Sequence, residues 1–254
     1  MQLHHQYHAH SNTHAETLVF IHGLFGSLTN LGMLARVLQQ DYATVQLDVR
    51  NHGLSAHSDQ HNYDLLAQDV LDTLDHLNIQ KFSVIGHSMG GKIAMRLAEV
   101  AKDRLEKLVV LDISPVASKD YHHGEIFEAL MAVANANINT RQQATEIMQD
   151  YIDEPMVIQF LLKSFNKGQW LFNVAALLEH YPDILAWQTQ SAWPKPVLFL
   201  RGGNSDYIAT PEHFAAIKQQ FPQADIQLIE NAGHWLHGEQ PQQVLSLIQR
   251  YLAN

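Results

Sequence analysis

The chain has 254 residues, 46% of them apolar, a formal net charge of −10 and no cysteine. That length and composition suffice for one substantial hydrophobic core and exclude a disordered chain. The acidic balance argues against a nucleic-acid or anionic-membrane partner, and without cysteine there are no disulfides, thiol catalysis or cysteine-ligated metal.

The opening "MQLHHQYHAH" lacks the basic start and apolar run of a secretory signal, and no stretch of 18 or more apolar residues follows. A cytoplasmic protein without membrane insertion is expected. His4, His8 and His10 share one face if this segment is extended, but no carboxylate or cysteine joins them at ligand spacing. A polar edge strand is the expectation, with no metal. "TLVFIHG" (17–23) and "ATVQLDV" (43–49) read as buried strands, with an amphipathic helix over 30–40 between them. A second helix over 62–79 repeats Leu66, Val70, Leu74 and Leu77 on one face.

"KFSVIGHSMGGKIAMRLAEVA" (81–101) places Ser88 between a strand and a helix, with Gly86 and Gly90 two residues away on either side. A strand-to-helix turn that sharp demands small flanking residues. It lifts the serine hydroxyl clear of the sheet beside the free N–H groups of a helix N-terminus. Ser88 is therefore a candidate nucleophile, and a serine needs a base. "NAGHW" (231–235) supplies His234 after the last strand, with Gly233 giving that loop freedom, whereas His237 is assigned a local surface role. "FIHGLFGS" (20–27) supplies an oxyanion turn. Its donor is expected to be the N–H of Leu24, with Phe25 the alternative, partnered by the N–H of Met89. His22 is expected to brace that turn.

Strands are further expected over 105–114, 195–203 and 224–233, and helices from Pro211 and Pro241. Alternating strands and helices predict an α/β fold: a mostly parallel sheet with helices on both faces. Between 115 and 190 the pattern reads as helices only, carrying Met131, Met148, Met156, Phe127, Phe160, Phe165, Trp170 and Phe172. Residues 1–114 and 191–254 are expected to form the core, and 115–190 a helical cap over the strand ends.

Two carboxylates compete as the partner of His234. Asp206, in "GGNSDYI", follows the strand 195–203, and spacing favours it; Asp112, in "VVLDISP", ends the preceding strand. "HGLFGS", "DVRNHGLS" (48–55), "GHSMGGK" (86–92), "LDISP" (111–115), "GGNS" (202–205) and "AGHWLH" (232–237) together resemble the α/β-hydrolases with a helical cap, and more narrowly the YbfF-type bacterial esterases. The resemblance spans the whole chain. It implies esterase or thioesterase activity, acyl-CoA included, and favours Asp112 as the acid. This chain departs from that pattern in carrying Asp206 as well. In "DVRNHGLS" an Asp48–Arg50 pair is expected to fix the loops beneath the oxyanion turn.

The expected function is hydrolysis of a small acyl ester or thioester by a monomer or homodimer without cofactor. A ligand sensor with slow turnover, a carbon–carbon bond hydrolase and a cofactor-free haloperoxidase remain alternatives on the same scaffold. Serine at 88 argues against a dehalogenase or epoxide hydrolase, which need aspartate there.

Overall fold

The computed structural model describes residues 1–118 and 123–253; the expected cap therefore has 119–122 outside the described residues. Seven strands form one sheet: β1 (His5–His8), β2 (Thr17–Ile21), β3 (Ala43–Leu47), β4 (Phe82–His87), β5 (Leu105–Leu111), β8 (Val197–Gly202) and β9 (Ala224–Ile229). Their order is β1-β3-β2-β4-β5-β8-β9. Of these seven strands only β1 runs antiparallel, pairing His5 with Leu47 along the β3 edge. The expected polar edge strand is thus present, four residues long. His4 and His10 are engaged locally, through Asp48 Oδ2 and the Gln40 carbonyl.

Side chains alternate across each strand, and the two faces bury different helices. Leu18, Phe20, Ile85, Val109, Leu198 and Leu200 pack against α1 (Gly32–Leu38) and α11 (Pro241–Leu252). Val19, Ile21, Val45, Val84, Val110 and Phe199 belong to the core formed with α2 (Tyr63–His76), α3 (Met89–Val100) and α9 (Pro211–Gln220). Helix α9 starts where Thr210-Pro211 places it. The Thr210 side chain accepts the N–H of His213 at 3.3 Å, and Pro211 occupies the first turn, where its missing N–H is harmless.

The chain leaves the sheet after Leu111 and returns at Val197. Between them lie α4 (Gly124–Asn135), α5 (Arg141–Met148), α6 (Pro155–Leu162), α7 (Val174–Glu179) and α8 (Tyr181–Leu185). The segment is not purely helical, however. A hairpin of β6 (Phe165–Asn166) and β7 (Gln169–Trp170) interrupts it. Lys167 and Gly168 both take positive φ, at 47° and 83°, the two-residue turn that matches strand twist. The insertion is tied to the core by polar contacts. Lys92 Nζ donates to the carbonyls of Leu185 and Ala186 at 3.0 and 3.1 Å, and Tyr63 Oη donates to that of Ile184 at 2.7 Å. Burial pulls the Lys92 amine down to about 7. Among the described residues no helix is long and apolar enough to cross a membrane.

Candidate active site

The turn after β4 depends on its glycines. A Cβ on Gly86 would lie 2.2 Å from the Gly90 carbonyl oxygen, and one on Gly90 would lie 2.3 Å from that of Ile21. Either substitution collides with backbone rather than with a movable side chain. Ser88 itself adopts φ 54°, ψ −121°, a strained conformation for a residue with a side chain, and its N–H is anchored to the Leu111 carbonyl at 3.0 Å. The hydroxyl therefore stands at the C-terminal edge of the sheet, where parallel sheets place ligands.

Ser88 Oγ lies 2.9 Å from His234 Nε2, and His234 Nδ1 lies 2.8 Å from Asp112 Oδ2. A carboxylate can only accept there, so Nδ1 carries the proton and Nε2 faces the serine as acceptor. Asp112, fully buried, sits on the first residue after β5. Its Oδ1 accepts the N–H of Gly202 at 2.8 Å, and the Ser205 hydroxyl also donates to Oδ2. Asp206 is exposed on the cavity wall and makes no hydrogen bond to His234. The structure thus brings Ser88, His234 and Asp112 together and leaves Asp206 aside.

Gly233 does not need left-handed backbone; the tight approach falls on Gly202 instead, whose Cβ would lie 2.3 Å from the Gly233 carbonyl oxygen. That contact presses the His234 loop against the end of β8. His87 holds it from the other side, with Nε2–H donating to the His234 carbonyl at 2.8 Å. His237 departs from its expected surface role. The short helix α10 (Leu236–Glu239) turns it inward, edge-on to His87 at 4.5 Å, and burial lowers it to about 4. The ring of Tyr207, which no sequence motif marks, stacks on His234. A lone tyrosine in a loop carries no periodic signal that could have marked it.

In the turn after β2 the N–H of Phe25 is taken up by His52 Nε2 at 3.1 Å. The N–H of Leu24 and that of Met89, first residue of α3, have no partner among the described residues. His22 braces the turn as expected: Nδ1–H donates to the Gly23 carbonyl at 2.7 Å, and Nε2 accepts the Val49 N–H at 3.2 Å. The expected Asp48–Arg50 pair is not formed. Arg50 makes a bidentate contact with Asp69, at 2.6 and 2.9 Å, because α2 presents that carboxylate directly to the guanidinium fork. Asp48 instead accepts the N–H groups of Leu28 (2.7 Å) and Leu54 (2.9 Å), joining the two loops through its own oxygens.

A cavity of about 750 Å³ opens onto Ser88 and His234. Ile126, Ile152, Val157, Phe160 and Leu161 from the insertion contribute apolar lining to it. The aromatic and methionine stripe divides: Phe160 lines the cavity, Met148, Phe127, Phe165 and Phe172 are core, and Met131 and Met156 are exposed.

The alpha/beta hydrolase family model matches residues 18–247. Esterase YbfF of Escherichia coli (strain K12) is 51% identical over 238 residues, covering 92% of each chain. The sn-1-specific diacylglycerol lipase ABHD11 of Mus musculus is 37% identical over 248 residues, covering 93% of this chain and 80% of its own. Among solved structures, a marine microorganism esterase superposes with a TM-score of 0.92 at 31% identity, covering 98% of both chains.

Proposed function

The chain belongs to the alpha/beta hydrolase family, and on that premise we propose that it is a serine hydrolase of carboxylic esters and acyl thioesters, acting through an acyl-enzyme. The observation that carries this reading is the unbroken run of hydrogen bonds from Ser88 Oγ through His234 to Asp112. Ser88 Oγ attacks the acyl carbonyl carbon while its proton passes to His234 Nε2. Asp112 keeps the imidazole in the required tautomer and stabilises the imidazolium that forms. The negative charge on the former carbonyl oxygen is met by the N–H groups of Leu24 and Met89. Collapse expels the alcohol or thiol, which leaves with the proton from His234. Water then attacks the acyl-enzyme by the same steps in reverse, freeing the acid and restoring Ser88.

In this reading residues 115–190 act as a cap, whose apolar wall holds the acyl chain. A diacylglycerol lipase and an esterase among the relatives accord with uncharged ester substrates. Labelling with a fluorophosphonate, read by intact mass and peptide mapping, should place one adduct on Ser88. Ser88→Ala and His234→Ala should each lower hydrolysis of a p-nitrophenyl ester by about 10⁴-fold or more, with the fold intact. Near-normal turnover by folded Ser88→Ala protein would refute the reading.

A further inference from the structure

We infer that His52 is a positioning residue for the oxyanion site, fixing the peptide that follows Leu24 so that the Leu24 N–H stays aimed at the reacting oxygen. The inference rests on the serine-hydrolase reading above and adds to it a residue outside the triad: His52 lies in the loop after β3, fully buried.

The proton positions follow from the partners. His52 Nδ1 lies 3.0 Å from the Arg50 carbonyl, which can only accept, so Nδ1 carries the proton. Nε2 is therefore a bare acceptor, and the Phe25 N–H donates to it at 3.1 Å. Phe25 holds φ 61°, an uncommon state for a residue with a side chain. A fixed external partner is what keeps such a backbone in place. The peptide before it is held in a complementary way. The Gly23 carbonyl accepts from His22 Nδ1–H at 2.7 Å and from the Gly26 N–H at 3.0 Å. In a trans peptide the C=O and N–H point in opposite directions, so fixing the Gly23 carbonyl aims the Leu24 N–H the other way. Leu24 lines the same cavity as Ser88. Two imidazoles, with ring centroids 5.2 Å apart, thus hold two consecutive peptide planes. If the Phe25 N–H lost His52, that amide would be free to turn, and the Leu24 N–H would be held only through the Gly23 carbonyl, with the backbone on its other side loosened.

The two ring nitrogens can be separated by substitution. In His52→Gln the amide oxygen falls near the position of Nε2 and can still accept from Phe25. In His52→Asn the amide nitrogen falls near Nδ1 and keeps only the link to the Arg50 carbonyl. His52→Asn should lower kcat on p-nitrophenyl butyrate by roughly 10- to 100-fold, a fraction of what losing an oxyanion donor outright does. KM should stay within about threefold, the sign of an interaction made only in the transition state. Affinity for a trifluoromethyl ketone, whose tetrahedral adduct carries the oxyanion, should fall in proportion to kcat/KM. His52→Gln should recover most of each loss. Fluorophosphonate labelling of Ser88 in the wild-type protein keeps the parent reading separate: its failure removes the nucleophile, whereas the His52 variants speak only to the oxyanion turn. Equal losses in the Asn and Gln variants, or an unchanged ketone affinity while kcat falls, would overturn the inference. Independently of whether a variant folds, ¹⁵N NMR of the wild-type protein should show His52 Nε2 unprotonated; a proton on it would overturn the inference as well.

Discussion

The ring of Tyr207 lies nearly parallel to the imidazole of His234, with centroids 3.9 Å apart and 18° between the planes. The Tyr207 backbone is itself held, its carbonyl accepting the Ser114 hydroxyl at 3.0 Å. When His234 takes the serine proton it becomes a cation against an aromatic face, an attraction of about 0.5 to 2 kcal/mol. Tyr207→Leu should therefore lower kcat by roughly 3- to 30-fold with little change in KM. Tyr207→Phe keeps the face and should stay close to the wild-type rate. Equal losses in both variants would assign the effect to the hydroxyl and not to stacking.

Of the two candidate carboxylates, Asp112 alone meets His234. Asp112 receives His234 Nδ1–H, the Gly202 N–H and the Ser205 hydroxyl, whereas Asp206 stands exposed. Asp112→Asn should lower kcat by about 10³- to 10⁴-fold, because an amide in that place favours the wrong imidazole tautomer. Asp206→Asn should leave kcat within about threefold of wild type, because Asp206 makes no hydrogen bond to His234. The double variant should match Asp112→Asn alone, since the two side chains share no partner. A further loss in the double variant would mean that Asp206 serves His234 when Asp112 cannot.

The strands, the turn at Ser88 and the position of His234 were legible in the sequence because each leaves a local mark. Buried parallel strands read as apolar runs, and the close approach of Gly86 to Gly90 restricts the residue type two places either side of the serine. The choice between Asp112 and Asp206 left no such mark. It turns on which of two neighbouring loops reaches His234, a tertiary relation that no local pattern encodes. The partner of Arg50 is hidden for the same reason, since Asp69 reaches it only through the packing of α2. The hairpin 165–170 does leave a mark: "NKG" is a turn signal set inside a run of otherwise helical composition.

Stability should fall steeply on the acid side. Burial holds His22, His52 and His87 below the ordinary imidazole value, His61 down to about 3 and His237 to about 4. These rings are neutral in the folded chain, while in the unfolded chain they take up protons near 6.5. The stabilisation is complete above that value and is lost as the pH falls below it, down to about 3 for His61 and 4 for His237. Each such histidine contributes up to about 1.4 kcal/mol per pH unit in the window. Tm measured from pH 7.5 to 4.5 should be nearly level at first and drop increasingly below about 6.5. His61→Phe should make the decline shallower, as His61 Nε2 is buried without a partner among the described residues. A Tm that stays level between about pH 6.5 and 5 would show that these rings are accessible to protons in the folded chain.

The cavity wall predicts how the rate responds to acyl chain length. Phe160, on α6, is half-buried, packs against Trp235 with centroids 5.5 Å apart, and lines the cavity with Val157 and Leu161. An acyl chain running along that wall gains about 0.8 kcal/mol per buried methylene, or roughly fourfold in kcat/KM, until it outgrows the wall. An acetyl group has no methylene to bury there. Phe160→Ala should therefore leave p-nitrophenyl acetate hydrolysis nearly unchanged and lower kcat/KM for the octanoate by roughly 10-fold or more, chiefly through KM. Met131→Lys serves as the control: that side chain is exposed on the outside of α4, so the charge should be tolerated and the chain-length profile kept. If Phe160→Ala lowers acetate and octanoate hydrolysis equally, Phe160 supports the fold of the insertion and the acyl chain lies elsewhere.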